Sequence, residues 1–392
     1  MNEKDCRRNV VLYYVFALFN EPLFWGPILI TSLQKLGGMS LSEIYYLESI
    51  ALFFCAVLDI PSGALADTIG RKKTIVTGRL FLFGSVCFFA TMTSPVGAWI
   101  GNMLWVVGFV LQSGADSALL YDTLDQNGQP DRYKKIEGRA IGGRLLLIAL
   151  CSLASGFLAN IHLRLPLLLC LPFVAVPLVA SLFFKEAPRS KHYSVKEQIM
   201  TVGRGISFVA KSVEIRWMVG FAALVLAVSK VWFFTYNPYF ETVGLDITYY
   251  GVIFFCLNIV AWLSSHYCQE IENRLGERNC VALMLLCLGV PILLMGLMPI
   301  WPFAYLVLAQ NIVRGFMKPF VCTYLNRHAN SDIRATVLST QSTVSYIAGI
   351  VGLAVFGYLT STAGLLTSLV ILGLTTIVLG TISYLSYVKK IN

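Results

Sequence analysis

The feature that most constrains this chain is the recurrence, from end to end, of apolar stretches separated by short polar turns. Each is about 20 residues long, and at roughly 1.5 Å per residue a helix of that length crosses the hydrocarbon core of a bilayer. An aqueous core has no use for so much apolar surface. Of the 392 residues, 57% are apolar and 13% charged, where a soluble domain carries about 25% charged. Twelve segments can be marked: 10–33, 42–66, 75–93, 97–122, 138–161, 164–184, 216–240, 247–268, 280–298, 302–324, 336–359 and 364–388. The expected fold class is therefore an all-α polytopic membrane protein with twelve transmembrane helices. The first run, from Val10 to about Leu33, is longer than a signal-peptide core and lacks a small-residue cleavage site, so it reads as a retained helix. None of the ten cysteines falls in an outer loop, and no disulfides are expected.

Cations set the orientation, because cytoplasmic loops retain Lys and Arg. With the N-terminus placed inside, 24 Lys and Arg, Arg79 among them, fall in inner segments against two, Lys35 and Arg164, in outer loops. Both termini are expected in the cytoplasm, with the chain in a plasma (bacterial inner) membrane. The net charge of +9 is then a topology signal and requires no nucleic-acid partner. One long polar segment, 185–215, divides the chain into bundles at 1–184 and 216–392. Ile199, Val202, Ile206 and Val209 recur within it at helical spacing among Lys196, Arg204 and Lys211, which reads as a short amphipathic helix on the membrane surface. A plain linker is the alternative.

The hairpin DIPSGALADTIGRKKTI, residues 59–75, joins the second and third segments. EIENRLGERNCV, residues 270–281, is a degraded second copy: Gly276 corresponds to Gly70 and Arg278 to Lys72, while Asn273 stands where Asp67 would. The repetition predicts two pseudo-symmetric six-helix bundles.

Residues 63–75 resemble the loop motif G-x-L-A-D-R-x-G-R-K-x-x-L of the major facilitator superfamily (MFS) of secondary transporters, with Gly63, Leu65, Ala66, Asp67, Gly70, Arg71 and Lys72 matching and Thr68 in place of an Arg. The resemblance implies a cytoplasmic gate formed by Asp67, Gly70, Arg71 and Asp122. Asp67 would face the N-terminus of the eleventh helix, near Arg334, and Arg71 would pair with Asp122 at the end of the fourth. A carboxylate gains at a helix N-terminus from exposed N–H groups and the dipole. The bland reading is that Arg71–Lys73 only fix topology. The chain is similar to the twelve-helix drug/proton antiporter-like branch, yet it has Trp105 where that branch carries an Arg, and no Gly-Pro step in the fifth helix. Those departures weigh against drug export.

In the superfamily the first, fourth, seventh and tenth helices line a central cavity, and here all four carry polar residues at depth. A charge at mid-bilayer costs about 2.5–3.5 kcal/mol on insertion scales, so it needs a partner or a wet cavity. The first has Asn20 and Glu21 before Pro22 and Pro27; the fourth has Gln112 and Asp116, four apart and so expected on one face. Glu21 and Asp116 are the candidate proton sites, though Arg144 could hold Asp116 as a plain ion pair. The seventh has Lys230, and the tenth has Gln310, Asn311, Arg314 and Lys318 as an expected basic stripe. A cationic stripe in a cavity suits an organic anion or a zwitterion. Internal pairing with Glu21 or Asp116 is the competing reading.

Enzyme activity has no support: GRKKT lacks the upstream glycines of a phosphate loop, and the four His are scattered. No metal and no cofactor is expected. The expected function is a secondary active transporter moving a small organic solute by alternating access, with Asn20, Glu21, Gln112, Asp116, Lys230, Asn311 and Arg314 as substrate and proton-coupling residues. Its expected partners are the solute, protons and the lipid bilayer, with the protein a monomer. The alternatives are an importer or facilitator of an organic anion or zwitterion without proton antiport, and a non-transporting membrane receptor.

Overall fold

Helices form nearly everywhere the apolar runs predict them. The computed structural model describes residues 2–186, 208–328 and 334–391; the side chains of Ile60, Ala64, Asp67, Arg334, Ala335 and residues 389–391 lie outside that description. In chain order the helices are α1 (Glu3–Leu18), α2 (Leu29–Lys35), α3 (Leu41–Ile69), α4 (Arg71–Thr91), α5 (Pro95–Gln112), α6 (Ala115–Asp125), α7 (Tyr133–Ile161) and α8 (Leu165–Leu182). They continue with α9 (Val213–Phe233), α10 (Tyr236–Thr242), α11 (Ile247–His266), α12 (Cys268–Leu275), α13 (Glu277–Leu297), α14 (Val307–His328), α15 (Arg334–Ala363) and α16 (Leu365–Ile391). The amphipathic helix expected from Ile199, Val202 and Ile206 lies outside the described residues.

Ten helices among the described residues are long and apolar enough to cross a membrane. The other two expected spans miss that description for physical reasons. The first is divided into α1 and α2, because Pro22 and Pro27 remove backbone donors and residues 19–28 leave the helical ladder. The tenth, α14, is continuous but carries Arg314 and Lys318 beside Gln310 and Asn311, which lowers its hydropathy. With these two counted the fold has twelve spans, the fourth being α5 plus α6 and the seventh α9 plus α10.

The chain forms two compact units, one of Met1–Met39 with Phe54–Gln198, the other of Ser40–Phe53 with Ile199–Asn392. In the first unit Phe16, Ile75, Leu119, Leu124, Ile136 and Phe184 form a core among α1, α4, α6, α7 and α8. Lipid is as apolar as such a core, so burial alone does not hold membrane helices together; close packing and hydrogen bonds do. Asn9 illustrates the second term: its Nδ2 donates to Thr123 Oγ1 at 3.1 Å and to the Lys185 carbonyl at 2.9 Å, tying α1 to α6 and to the end of α8. Arg164, placed by the sequence in an outer loop, caps the end of α4 through the carbonyls of Ala90 (3.0 Å) and Met92 (2.7 Å). In the second unit the first turns of α3 belong with α9 and α15. Tyr45 is buried, its hydroxyl 2.7 Å from Thr235 Oγ1, and Ser49 Oγ donates to the Ile350 carbonyl at 2.9 Å. Large apolar side chains such as Leu146, Ile161, Val355 and Val378 are exposed, as expected for a surface solvated by lipid.

Candidate functional site

In the first unit the broken first span is the centre of a polar cluster. Its freed carbonyls are taken up by side chains: Arg79 Nη1 donates to Asn20 O at 3.0 Å, and Ser155 Oγ to Phe24 O at 2.5 Å. Asn20 Oδ1 accepts from Gln112 Nε2 at 2.5 Å, and that nitrogen also lies 3.2 Å from Asp116 Oδ2. Asp116 Oδ1 accepts from Ser117 N at 2.7 Å. Asn20, Gln112 and Asp116 thus form one chain of hydrogen bonds. Gln112 and Asp116 were expected on one helical face. They instead flank a break at Ser113–Gly114, where Gly114 has φ 78°, a conformation only glycine adopts freely, and they meet across that break.

Arg79 was counted from sequence among the loop cations. It is fully buried in α4, its guanidinium 4.6 Å from the Phe16 ring centroid. Its Nε and Nη2 have no hydrogen-bond partner. Arg144 was open as a partner for Asp116; its Nε lies 3.6 Å from Glu21 Oε1, and the Glu21 side chain is 50% exposed. Behind this cluster the Tyr13 hydroxyl donates to Glu137, which also accepts from Ser117 Oγ at 3.4 Å. Trp105 packs on Trp25 with ring centroids 4.7 Å apart, a packing contact inside the unit.

The two hairpins turn on glycines with positive φ, Gly70 at 111° and Gly276 at 78°. Arg71 forms an ion pair with Asp122 and donates to the Ala118 carbonyl at 2.6 Å. Gly70 has no side chain to cap α4, and Glu186 supplies the cap: its carboxylate accepts from Arg71 N at 2.7 Å and from Lys72 N at 2.8 Å. The Asp67 side chain lies outside the described residues. In the second hairpin the charges are exchanged. Glu272 on the hairpin pairs with Arg327 at the end of α14 at 3.0 Å, and Glu277 lies 3.9 Å from the same Arg.

The second unit contains a cavity of about 510 Å³ between α9, α14 and α15, reached also by Leu52 of α3. Its charged and polar lining is Lys230, Lys318, Gln341, Ser342 and Ser345. The Lys230 ammonium is 5.3 Å from the Phe234 ring centroid, and Gln341 Nε2 donates to Ser345 Oγ at 2.9 Å. Arg314 does not join this cavity. It donates to Asn258 Oδ1 at 2.8 Å and lines a smaller void with Gln310 and Asn311. The expected stripe from Gln310 through Arg314 to Lys318 is therefore divided. Each step of four residues rotates about 40° round a helix of 3.6 residues per turn, which carries Lys318 off the face that Gln310 and Arg314 occupy.

No family model matches the chain. An uncharacterised MFS-type transporter of Bacillus subtilis (strain 168), YxaM, is 23% identical over 339 residues, covering 79% of this chain and 78% of that protein. Among solved structures the nucleoside transporter NupG matches with a TM-score of 0.78 over 99% of each chain, at 14% identity. These likenesses show that the chain has the fold of the major facilitator superfamily transporters. A bacterial homologue of the human lysosomal transporter Spinster gives a TM-score of 0.73 at 15% identity, covering 98% of this chain and 96% of that one. A D-xylose–proton symporter gives 0.70 at 13% identity over 96% of each. The chain is thus similar to these transporters in its multi-pass, twelve-span fold.

Several site groups escaped the sequence reading. Arg79 carried one signal. A helix starting at Arg71 places it eight residues in, about 12 Å at 1.5 Å per residue, too deep for a loop. Glu186 carried none, since its partners are 115 and 114 residues away. Trp232 and Tyr236, like Gln310 of the expected stripe, have buried polar atoms without partners.

Proposed function

We propose that this transporter carries a small organic solute with an anionic group through the second unit's cavity, and that the first unit couples the movement to protons. The cavity carries the reading. Its volume of about 510 Å³ lies in the range of small-molecule sites, about 300–1,000 Å³. It offers two ammonium groups and several neutral hydrogen-bonding groups on an otherwise apolar wall, the composition that orients an acid in a low-dielectric site. Asn20, Glu21, Gln112 and Asp116 are assigned to proton coupling. Asp116 accepts hydrogen bonds within the hydrogen-bonded chain, while half-exposed Glu21 is the proton's point of entry. Lys230 and Lys318 contact the acid group, with Asn311 and Arg314 completing recognition. Gly70, Arg71, Asp122 and Asp67 form the gate on the cytoplasmic side. The bias of cations toward one set of loops supports cytoplasmic termini, and a monomer in the plasma membrane is the working unit.

The test is uptake into proteoliposomes of a panel of radiolabelled carboxylates, with and without a pH gradient. Gradient-driven transport of at least one acid, lost in Lys318→Ala and uncoupled from protons in Asp116→Asn, is expected. Transport of lipophilic cations alone would refute the assignment. Facilitated import without proton antiport is the second reading; Trp105 and the absent Gly-Pro step favour it, and full transport without a pH gradient would select it.

A further inference from the structure

One side of α7 packs on α1: the Tyr13 hydroxyl donates to Glu137, and Leu18 lies against Gly143. The other side is open and changes character along its length. Lys134, Lys135 and Arg139 are exposed at its start, and none of them meets a carboxylate among the described residues. Gly138 and Gly142 are exposed beside them, and no neighbouring side chain or other helix lies within 4 Å of the point where a side chain would begin on either. Leu145, Leu146 and Leu150 follow, 42%, 58% and 52% exposed. At 3.6 residues per turn these eight residues fall within about 160° of the helix circumference, with the glycines at its middle.

Cations at one end of a span and an apolar face beyond them are ordinary in a membrane protein. The glycine gap between them is what selects an occupant. With no side chain over about one turn, the backbone admits close approach. On one side of the gap are groups that bind phosphate oxygens through charge-assisted hydrogen bonds, and on the other is a face that takes hydrocarbon. Lys135 to Arg139 rises about 6 Å, and Arg139 to Leu150 roughly 16–17 Å. That is the order in which a phospholipid sets out phosphate, glycerol and acyl chain along the membrane normal, and basic sites at this depth suit anionic headgroups. Glycines four apart also admit a second helix. A second copy of this face would bring Lys134, Lys135 and Arg139 against the same three cations, so charge favours the lipid.

We propose that this face of α7 binds one anionic phospholipid of the leaflet on the side of the cations. Lys135 and Arg139 hold its phosphate, with Lys134 beside them. Its glycerol backbone lies over Gly138 and Gly142, and an acyl chain runs along Leu145, Leu146 and Leu150. The site is independent of the solute and proton assignments above.

The experiment titrates purified, delipidated full-length protein in detergent with phosphatidylglycerol, phosphatidylcholine or glycerol 3-phosphate. Native mass spectrometry counts the bound molecules, and the unfolding temperature is read in parallel. One phosphatidylglycerol is expected to bind at least tenfold more tightly than phosphatidylcholine, and glycerol 3-phosphate, which has no acyl chains, at least tenfold more weakly than phosphatidylglycerol. The double variant Lys135→Gln with Arg139→Gln should lose at least fivefold in affinity for phosphatidylglycerol and keep its affinity for phosphatidylcholine. Gly142→Leu is the deciding variant, because it leaves every charge in place and fills space that nothing else occupies. It should lower the affinity for phosphatidylglycerol at least fivefold without changing the unfolding temperature of the lipid-free protein. Gly138→Leu makes the same test if Gly142→Leu folds poorly. Phosphatidylglycerol binding indifferent to both glycine variants would reduce the effect to general attraction to a basic surface and overturn the proposal. Equal binding of phosphatidylcholine would overturn it too, as would glycerol 3-phosphate binding as tightly as the lipid, which marks a free-phosphate site. A dimer in the wild-type spectrum that Gly142→Leu abolishes would assign the face to a second copy instead.

Discussion

Arg79 offers the sharpest test of how the first unit is held together. The perturbation is Arg79→Met, which keeps much of the side-chain volume and removes the guanidinium. Two things are lost. One is the charge-assisted bond to the Asn20 carbonyl at 3.0 Å, about 1.5–3 kcal/mol. The other is the contact over Phe16 at 4.6 Å, up to about 2 kcal/mol where water is excluded. The two share atoms and do not add, and methionine relieves the desolvation of a fully buried cation. A net loss of about 1–3 kcal/mol is expected. For a chain of this size that lowers the unfolding temperature by about 1–4 °C.

The assay is thermal unfolding of detergent-solubilised protein, run on Arg79→Met and Arg79→Lys. Arg79→Lys should fall between wild type and Arg79→Met, because an ammonium keeps a charge-assisted donor but lacks the planar fork. An Arg79→Met protein as stable as wild type would refute the reasoning, and so would an Arg79→Lys protein less stable than Arg79→Met.

Other outcomes follow from the same geometry. Arg71→Gln, which strands the largely buried Asp122 (14% exposed), should destabilise by about 3 kcal/mol or more. Arg327→Gln leaves Glu272, 10% exposed, but Arg327 is itself 49% exposed where Arg71 is 17% exposed, so its pair is more screened by water and its loss should cost less than that of Arg71; equal costs in chemical unfolding would contradict the ranking. Glu186→Ala removes the carboxylate capping α4, and a loss of about 0.5–2 kcal/mol is expected; Glu186→Gln, which keeps an acceptor, should recover part of it. Glu21→Gln should abolish proton-dependent flux while leaving counterflow of solute intact, measured in proteoliposomes. Retention of full proton-dependent transport would remove Glu21 from the coupling path.

The spans were legible because the bilayer imposes a length on any apolar run, and hairpin glycines because a positive φ selects the residue type. Gly70 and Gly276 stood out through the motif and its degraded repeat, and the structure gives both a positive φ. The break at Pro22 and Pro27 was legible for the same kind of reason, since proline cannot donate. The break at Gly114 was not, because an isolated glycine inside a helical pattern is ordinarily tolerated. Arg79 was misplaced because sequence shows proximity to a basic hairpin, and only the start of α4 at Arg71 turns that into depth. Gln310, Arg314 and Lys318 were grouped by a spacing of four. That spacing drifts round the helix, and the structure gives Lys318 to one cavity and Arg314 to another.

The polar residues of the two units differ in a way that bears on their roles. In the first unit Asn20, Gln112 and Asp116 bond to one another, Glu21 pairs with Arg144, and Arg79 takes a freed backbone carbonyl. Such a network offers a solute few open donors. It does hold two carboxyl groups, Asp116 within the hydrogen-bonded chain and Glu21 at 3.6 Å from Arg144 Nε. In the second unit Gln310, Trp232 and Tyr236 face a void without partners, and Lys230 and Lys318 line a cavity of about 510 Å³. Open donors and acceptors in a low-dielectric site gain most from an incoming ligand, while a closed network gains little. Recognition is therefore assigned to the second unit and charge balance to the first. Substitutions in the two should then separate kinetically. Gln310→Met and Lys318→Ala should raise the half-saturating solute concentration without altering the pH dependence of flux. Asp116→Asn should abolish the pH dependence with little change in solute affinity. Flux measured across a range of pH distinguishes the two, and a Gln310→Met variant with an altered pH profile would show that the division is wrong.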